Sequence, residues 1–371
     1  MPALRAARRG TAYLGAVLVA LFLAGCVEAD GTQGESALST GAGAAAEIRR
    51  GSGDEHLVAE IGSTFAEEYQ RAAVAIVEGD EVRTAYVDAD ESTAWEIGSI
   101  TKVLTGELLA IAIERGEVAL DDTLGEYLDL GGSPSAAVTL RGLATHTSGL
   151  PVLPDDPVWR AEYEERYFAR EDPWGGDLAT LLALARTTGV APEAGFEYSN
   201  LGAALLGQAL ASAAGTEYSR LLQERVLEPL GMEHAVLVET DAQVPETHAG
   251  GTTAAGQSVA PISWGAFAPA GGVDATLGDL VALAKAVLDG RLQHSAALEP
   301  ITEIEPGTSI GYFWWIDEVP ARTITWHPGR TSGFGSALLI DRDAGVATIV
   351  LSNADLPAET IARRLLVDAE Q

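Results

Sequence analysis

The stretch Glu96-Ile97-Gly98-Ser99-Ile100-Thr101-Lys102 sets a serine three residues ahead of a lysine, and an apolar run follows through Leu104, Leu108, Leu109, Ile111 and Ala112. Side chains three apart share one face of a helix, so the Ser99 hydroxyl and the Lys102 amine can meet on its first turn. A serine hydroxyl is a weak nucleophile and needs a base beside it. Lysine is that base only without its proton, and a helix N-terminus and a partly dry cleft both push it toward that state. The residue type itself counts. Of the 23 lysines and arginines only Lys102 and Lys285 are lysines, and lysine, unlike arginine, can release its proton in a protein. The same spacing also describes an N-cap serine with a solvated lysine in the first turn, so the rest of the chain has to decide.

With 371 residues and 47% hydrophobic content the chain suits one or two globular domains. Its 54 acidic residues against 23 basic ones give a formal charge of −31, which argues against nucleic-acid binding and against electrostatic docking on anionic lipid. A single cysteine excludes an internal disulfide, and the six histidines (His56, His146, His234, His248, His294, His327) show no metal-ligand spacing. No metal and no cofactor are expected.

Arg5, Arg8 and Arg9 precede an apolar run from Tyr13 to Ala24, too short to span a bilayer comfortably and of the length of a signal h-region. The run ends in Leu23-Ala24-Gly25-Cys26, which resembles the bacterial lipoprotein signal, in which the cysteine is lipidated. The expected organisation is a signal peptide over 1–25, a flexible Gly/Ala/Ser/Thr/Glu stalk over 26–55, and a folded domain over 56–371. That places the protein outside the cytoplasm, held on the cell membrane by acyl chains on Cys26 alone, since anionic lipid repels so acidic a domain.

Within the domain, Leu57 to Tyr69 reads as a helix, and Ala72–Glu78 with Val82–Val87 as a hairpin around Gly79-Asp80. The helix after Ser99 stops near Gly116, and a short helix runs into His146-Thr147-Ser148-Gly149-Leu150-Pro151, where His146 is expected to be buried and to order the turn. Residues 154–176 carry Trp159, Tyr163, Tyr167, Phe168 and Trp174 among charges, either as an irregular loop walling a cleft or as an amphipathic helix. A helix over Leu178–Thr187 precedes Tyr198-Ser199-Asn200, which sits at the start of an apolar helix from Leu201 to Ala214 with Asn200 as a good N-cap. Thr276 and Asp279 form a helix-start pair. Strands follow over 311–316, 323–326, 337–341 and 346–352, then a terminal helix over 356–368. Strands at both ends and helices between them specify an α+β fold: an antiparallel sheet flanked by helices, with a mainly helical insertion over roughly 117–265.

Ser99-x-x-Lys102, Tyr198-Ser199-Asn200 and His327-Pro328-Gly329 thus stand in order, and the set resembles the serine β-lactamase and penicillin-binding-protein superfamily, in its class C β-lactamase, D-alanyl-D-alanine peptidase and esterase branch. Pro229-Leu230-Gly231-Met232 and Pro269-Ala270-Gly271-Gly272 look like further landmarks, and the likeness spans about Phe65 to Leu365. It implies a serine hydrolase acting through an acyl-enzyme on a small-molecule or peptide ester, amide or β-lactam. Ser99 would be the nucleophile, with Lys102 and Tyr198 taking and returning its proton, the formal base staying open between them. Asn200 would orient Lys102 and the substrate, and the backbone of Ser99 and of Arg330, just past His327 and Gly329, would hold the oxyanion. The third motif departs from the family's Lys and Thr, which grip a substrate carboxylate: histidine is charged only part of the time and proline offers neither hydroxyl nor N–H. An esterase or a peptidase for D-amino-acid peptides fits it at least as well as a lactamase. A second reading keeps the fold but idles the site, as a binder of cell-wall peptide or a partner protein; the intact Ser-Lys-Tyr set counts against it. Gly307-Thr308-Ser309-Ile310-Gly311 matches the G-x-S-x-G elbow but lacks the strand-to-helix setting, and is rejected.

Overall fold

A computed structural model describes residues 51–67, 69–192, 195–292 and 295–369. The signal-like segment, Cys26 and the stalk up to residue 50 lie outside the described residues.

The core is a nine-stranded antiparallel sheet. Across it run Gly51–Gly53, Glu81–Val87, Ala72–Glu78, Val346–Ser352, Gly335–Asp341, Arg322–Arg330, Trp315–Val319, Thr308–Ile310 and Thr302–Glu305. The central strands are buried along their whole length, which their near-continuous apolar sequences require, because both faces must be covered. Alternation divides the side chains. Val74, Ile76 and Val350 face the helices Glu55–Thr64 and Ala358–Ala369 through Leu57, Ile61, Ile361 and Leu365. Ala73, Ala75, Leu338 and Ile349 face the larger core, which includes Leu280, Leu283 and Val287 of the helix Leu277–Leu288 and extends into the helical region. That region runs from Leu124–Tyr127 to Glu228–Leu230, between the two halves of the sheet in sequence and inside the expected 117–265 span.

Three expectations need correction, and one open alternative is decided. The folded chain begins before residue 56, because Gly51–Gly53 already pairs with Glu81–Val87. This segment has no apolar side chain to announce it. Its glycine is what lets it dock: Gly53 has φ of 109°, and a Cβ there would fall 2.1 Å from the Thr84 carbonyl oxygen. Of the two forms open to residues 154–176, the helix is the one taken: Pro157–Ala169 is started by the Asp156 carboxylate, which accepts from the Val158 and Trp159 N–H groups at 3.0 and 2.9 Å. Trp159 and Tyr163 of this helix pack ring against ring in a cluster with Trp174, Trp264 and Phe267. The helix Asn200–Ala214 is capped by Ser199, whose hydroxyl oxygen accepts from Gly202 N–H at 2.8 Å, which leaves the Asn200 amide available for other work. Gly311–Trp314 is a turn rather than a strand, with Phe313 at φ 65° and its N–H donating to the Ala144 carbonyl. The G-x-S-x-G segment lies in the hairpin of Thr302–Glu305 and Thr308–Ile310, with no helix after it.

Candidate active site

Ser99 lies in a single 3-10 turn, Gly98–Ile100, that runs straight into the helix Thr101–Glu114. The turn is fixed from two sides. On one, Trp95–Glu96 pairs with Val273–Ala275, Ile97 N–H donates to the Val273 carbonyl at 3.1 Å, and Val273 N–H donates to the Thr101 hydroxyl at 3.1 Å. On the other, the Ser336 hydroxyl donates to the Ile97 carbonyl at 2.8 Å and the strand Arg322–Arg330 lies against Gly98. Gly98 has φ of 51°, and a Cβ on it would meet the Arg330 backbone nitrogen at 2.8 Å. No other residue fits there.

The helix brings Lys102 back under Ser99. Its Nζ is 3.2 Å from Ser99 Oγ, 2.8 Å from Asn200 Oδ1 and 2.6 Å from the Ala270 carbonyl oxygen. Lys102 is fully buried, and burial pushes its amine well below the ordinary lysine range. Tyr198 reaches Ser99 from the distant loop, its hydroxyl donating to Oγ at 2.8 Å. Burial raises the Tyr198 phenol, so it stands protonated at neutral pH. The geometry therefore joins Ser99, Lys102, Tyr198 and Asn200.

With the amine neutral, as its burial favours, the contacts assign the hydrogens. The Asn200 and Ala270 oxygens only accept, so they take both N–H bonds of a neutral amine, and its lone pair is left for the Ser99 hydroxyl. Oγ in turn accepts from Tyr198. Thr105 fastens the Ala270 segment to the helix Thr101–Glu114, its hydroxyl donating to the Pro269 carbonyl at 2.8 Å.

His146 orders the Tyr198 loop. It has φ of 55°, its Nδ1 accepts from Ser199 N–H at 3.1 Å, and its ring lies 4.4 Å from the Tyr198 ring. His327 is buried beside Lys102; burial first, then that amine, lower it to about 3, so it is neutral. The Thr331 N–H donates back to the Phe334 carbonyl at 3.0 Å across the hairpin. Alternation along the strand turns the Arg330 N–H to the opposite side, toward Gly98, with Gly329 buried between. The Arg330 side chain points elsewhere: Nε and a terminal nitrogen fork onto both oxygens of Asp355, the latter at 2.6 Å.

Sequence reasoning missed the Ala270 carbonyl, Thr105, Ser336 and Asp355. The Pro269–Gly272 landmark marked the first of these, but nothing in a pattern says which carbonyl turns inward. Among the described residues, no group of three His, Cys, Asp or Glu side chains is arranged to hold a metal ion.

A serine held by a buried amine and a phenol, beside an antiparallel sheet, is an arrangement in which the hydroxyl can be activated as a nucleophile. The match to the family model described as Beta-lactamase covers residues 59–371, and the chain belongs to that family. It is similar to the D-alanyl-D-alanine-carboxypeptidase/endopeptidase AmpH of Escherichia coli (strain K12), 37% identical over 145 residues, which are 37% of this chain and 35% of AmpH. The chain thus spans about a third of that relative's length. In structure it is similar to a class C β-lactamase from Rhodobacter sphaeroides, with TM-score 0.68 at 21% identity over 83% of this chain and 95% of that one. It is also similar to the D-alanine carboxypeptidase AmpC of Burkholderia cenocepacia, with TM-score 0.69 at 22% identity over 84% and 97% of the two chains. The fold is the class C β-lactamase fold.

Proposed function

We propose that Ser99 opens ester or amide carbonyls through an acyl-enzyme, with Lys102 as the base. The supporting observation is one contact set: Ser99 Oγ lies 3.2 Å from a fully buried amine and 2.8 Å from a protonated phenol. As Oγ bonds to the carbonyl carbon, its proton passes to the Lys102 lone pair. The oxyanion forms toward the N–H groups of Ser99 and Arg330. Collapse breaks the bond to the leaving group, which takes a proton from Tyr198 while Lys102 returns one to Tyr198. Water then attacks the acyl-enzyme with the proton path reversed. The chain's similarity to proteins named as a carboxypeptidase and as β-lactamases supports this reading. A fluorophosphonate probe and a p-nitrophenyl ester test the reading: wild type is labelled and turns over, and Ser99→Ala does neither. A Ser99→Ala protein that still turns over ester at the wild-type rate defeats it.

We further propose that the enzyme works outside the cytoplasm on a lipid tether at Cys26, on the strength of Leu23-Ala24-Gly25-Cys26 and the basic and apolar segments before it. Cys26→Ser expressed in a bacterial host is then found in the soluble fraction and takes up no labelled palmitate. A variant that stays with the membrane rules the tether out.

A further inference from the structure

The charges around Ser99 bear on which acyl groups it accepts. A carboxylate brought next to the nucleophile needs a cation or well-placed donors to replace its water. The strand beside Ser99 supplies neither from its motif residues. His327 Nδ1 lies 2.6 Å from the Pro328 carbonyl oxygen, which can only accept, so Nδ1 carries the hydrogen and Nε2 presents a lone pair. That nitrogen is buried, with no hydrogen-bond partner among the described residues. Pro328 adds no donor. Lys102 aims its nitrogen at Ser99, Asn200 and Ala270.

Arg330 follows the motif, its backbone lies against Gly98 beside Ser99, and Asp355 holds its guanidinium. Both Asp355 oxygens are engaged by the guanidinium fork, the bidentate form in which an arginine–carboxylate pair is strongest. An incoming carboxylate has to displace an aspartate already in place, inside a chain of formal charge −31.

We propose that this site selects acyl esters and amides with no carboxylate beside the scissile bond, and that Asp355 is the residue that sets this choice by occupying Arg330. The proposal rests on the serine-hydrolase reading above and adds its substrate class. A β-lactam or a peptide with a free C-terminal carboxylate is accordingly a poor substrate, and a neutral or amine-bearing ester or amide is a good one.

Two aryl esters of one N-acyl glycine test it, one with an unsubstituted phenol as leaving group and one with a meta-carboxylate on that phenol. Wild type has the higher kcat/KM for the neutral ester. In Asp355→Asn, which frees the guanidinium, the carboxylate-to-neutral ratio of kcat/KM rises about tenfold, the size of one charge-assisted hydrogen bond. His327→Lys, which restores a cation by another route, moves the ratio the same way. Each ratio is internal to one protein, so partial misfolding leaves it unchanged. A wild-type enzyme that favours the carboxylate ester, or an Asp355→Asn ratio equal to wild type, overturns the proposal while Ser99 is still acylated. If neither ester acylates Ser99, the hydrolase reading itself has failed.

Discussion

Tyr198→Phe removes one oxygen atom and tests the division of labour at the site. The lost contact is the phenol donating to Ser99 Oγ at 2.8 Å. The ring keeps its seat, 4.4 Å from the His146 ring and 4.9 Å from Lys102 Nζ. Stability therefore falls by no more than about 1 kcal/mol, the net worth of one hydrogen bond, because Ser99 is only partly buried and water can replace the donor. Rate responds far more. Losing a positioned proton relay costs about 10²- to 10⁴-fold, or roughly 2.7 to 5.4 kcal/mol of barrier. In stopped-flow hydrolysis of a p-nitrophenyl ester, both the burst and the steady-state phase slow, since the relay serves acylation and deacylation. The acid limb of the pH profile survives in the variant, because that limb belongs to Lys102, whose amine gains a proton as pH falls. Activity within about threefold of wild type refutes the relay, and loss of the acid limb refutes the assignment of the base.

Other perturbations follow from the same contacts. A Cβ at Gly329 would fall 2.0 Å from the Ile97 carbonyl oxygen and 2.1 Å from Ser336 Oγ; Gly329→Ala thus pushes the strand off the Ser99 turn, costing about 1–3 kcal/mol in urea unfolding and most of the ester turnover. Unchanged turnover contradicts the tight approach. Glu107, on the nucleophile helix, is buried and accepts from the Ser295 hydroxyl at 2.6 Å and Trp314 Nε1 at 3.1 Å, and burial raises it to about 7. The folded chain keeps this proton between 4.5 and about 7, where the unfolded chain has lost it. Stability therefore drops as pH climbs through that window, by about 1.4 kcal/mol per pH unit. Glu107→Gln flattens this slope in urea melts, and a slope equal to wild type contradicts the account. Asp274 sits opposite Glu96 in the sheet, and burial, then the Glu96 charge, raise it well above the carboxylate range, with His248 Nε2 3.4 Å from Glu96 Oε1 and 3.9 Å from Asp274 Oδ2. Asp274→Asn is expected to raise Tm more at pH 8 than at pH 5, since it removes a group that resists ionising; an equal shift at both argues against the buried acid pair.

The parts of the molecule legible in the sequence are those that local pattern dictates. Ala72–Glu78 and Leu178–Thr187 have the expected bounds, because apolar period and end signals both lie inside the segment. The Ser99–Lys102 pairing followed from helix geometry, and Tyr198 from its motif. What stayed hidden depends on partners far along the chain. Gly51–Gly53 joins the sheet through its backbone alone. Ser199 takes the cap because Asn200 is drawn to Lys102, 98 residues away. The Ala270 carbonyl and the Asp355 clamp on Arg330 depend on which way a loop turns, and no spacing rule records that.

The chain has two lysines, Lys102 and Lys285, so protein made with lysine carrying ¹³C at Cε gives two NMR signals, assigned by Lys285→Arg. Following the Lys102 signal with pH measures the central claim, that the amine beside Ser99 is uncharged. A Lys102 signal with the shift of a neutral amine at pH 7, moving only as pH is lowered, is the outcome the account predicts. A Lys102 that has the ammonium shift at pH 7 and titrates only near the ordinary lysine value of about 10.4 contradicts it.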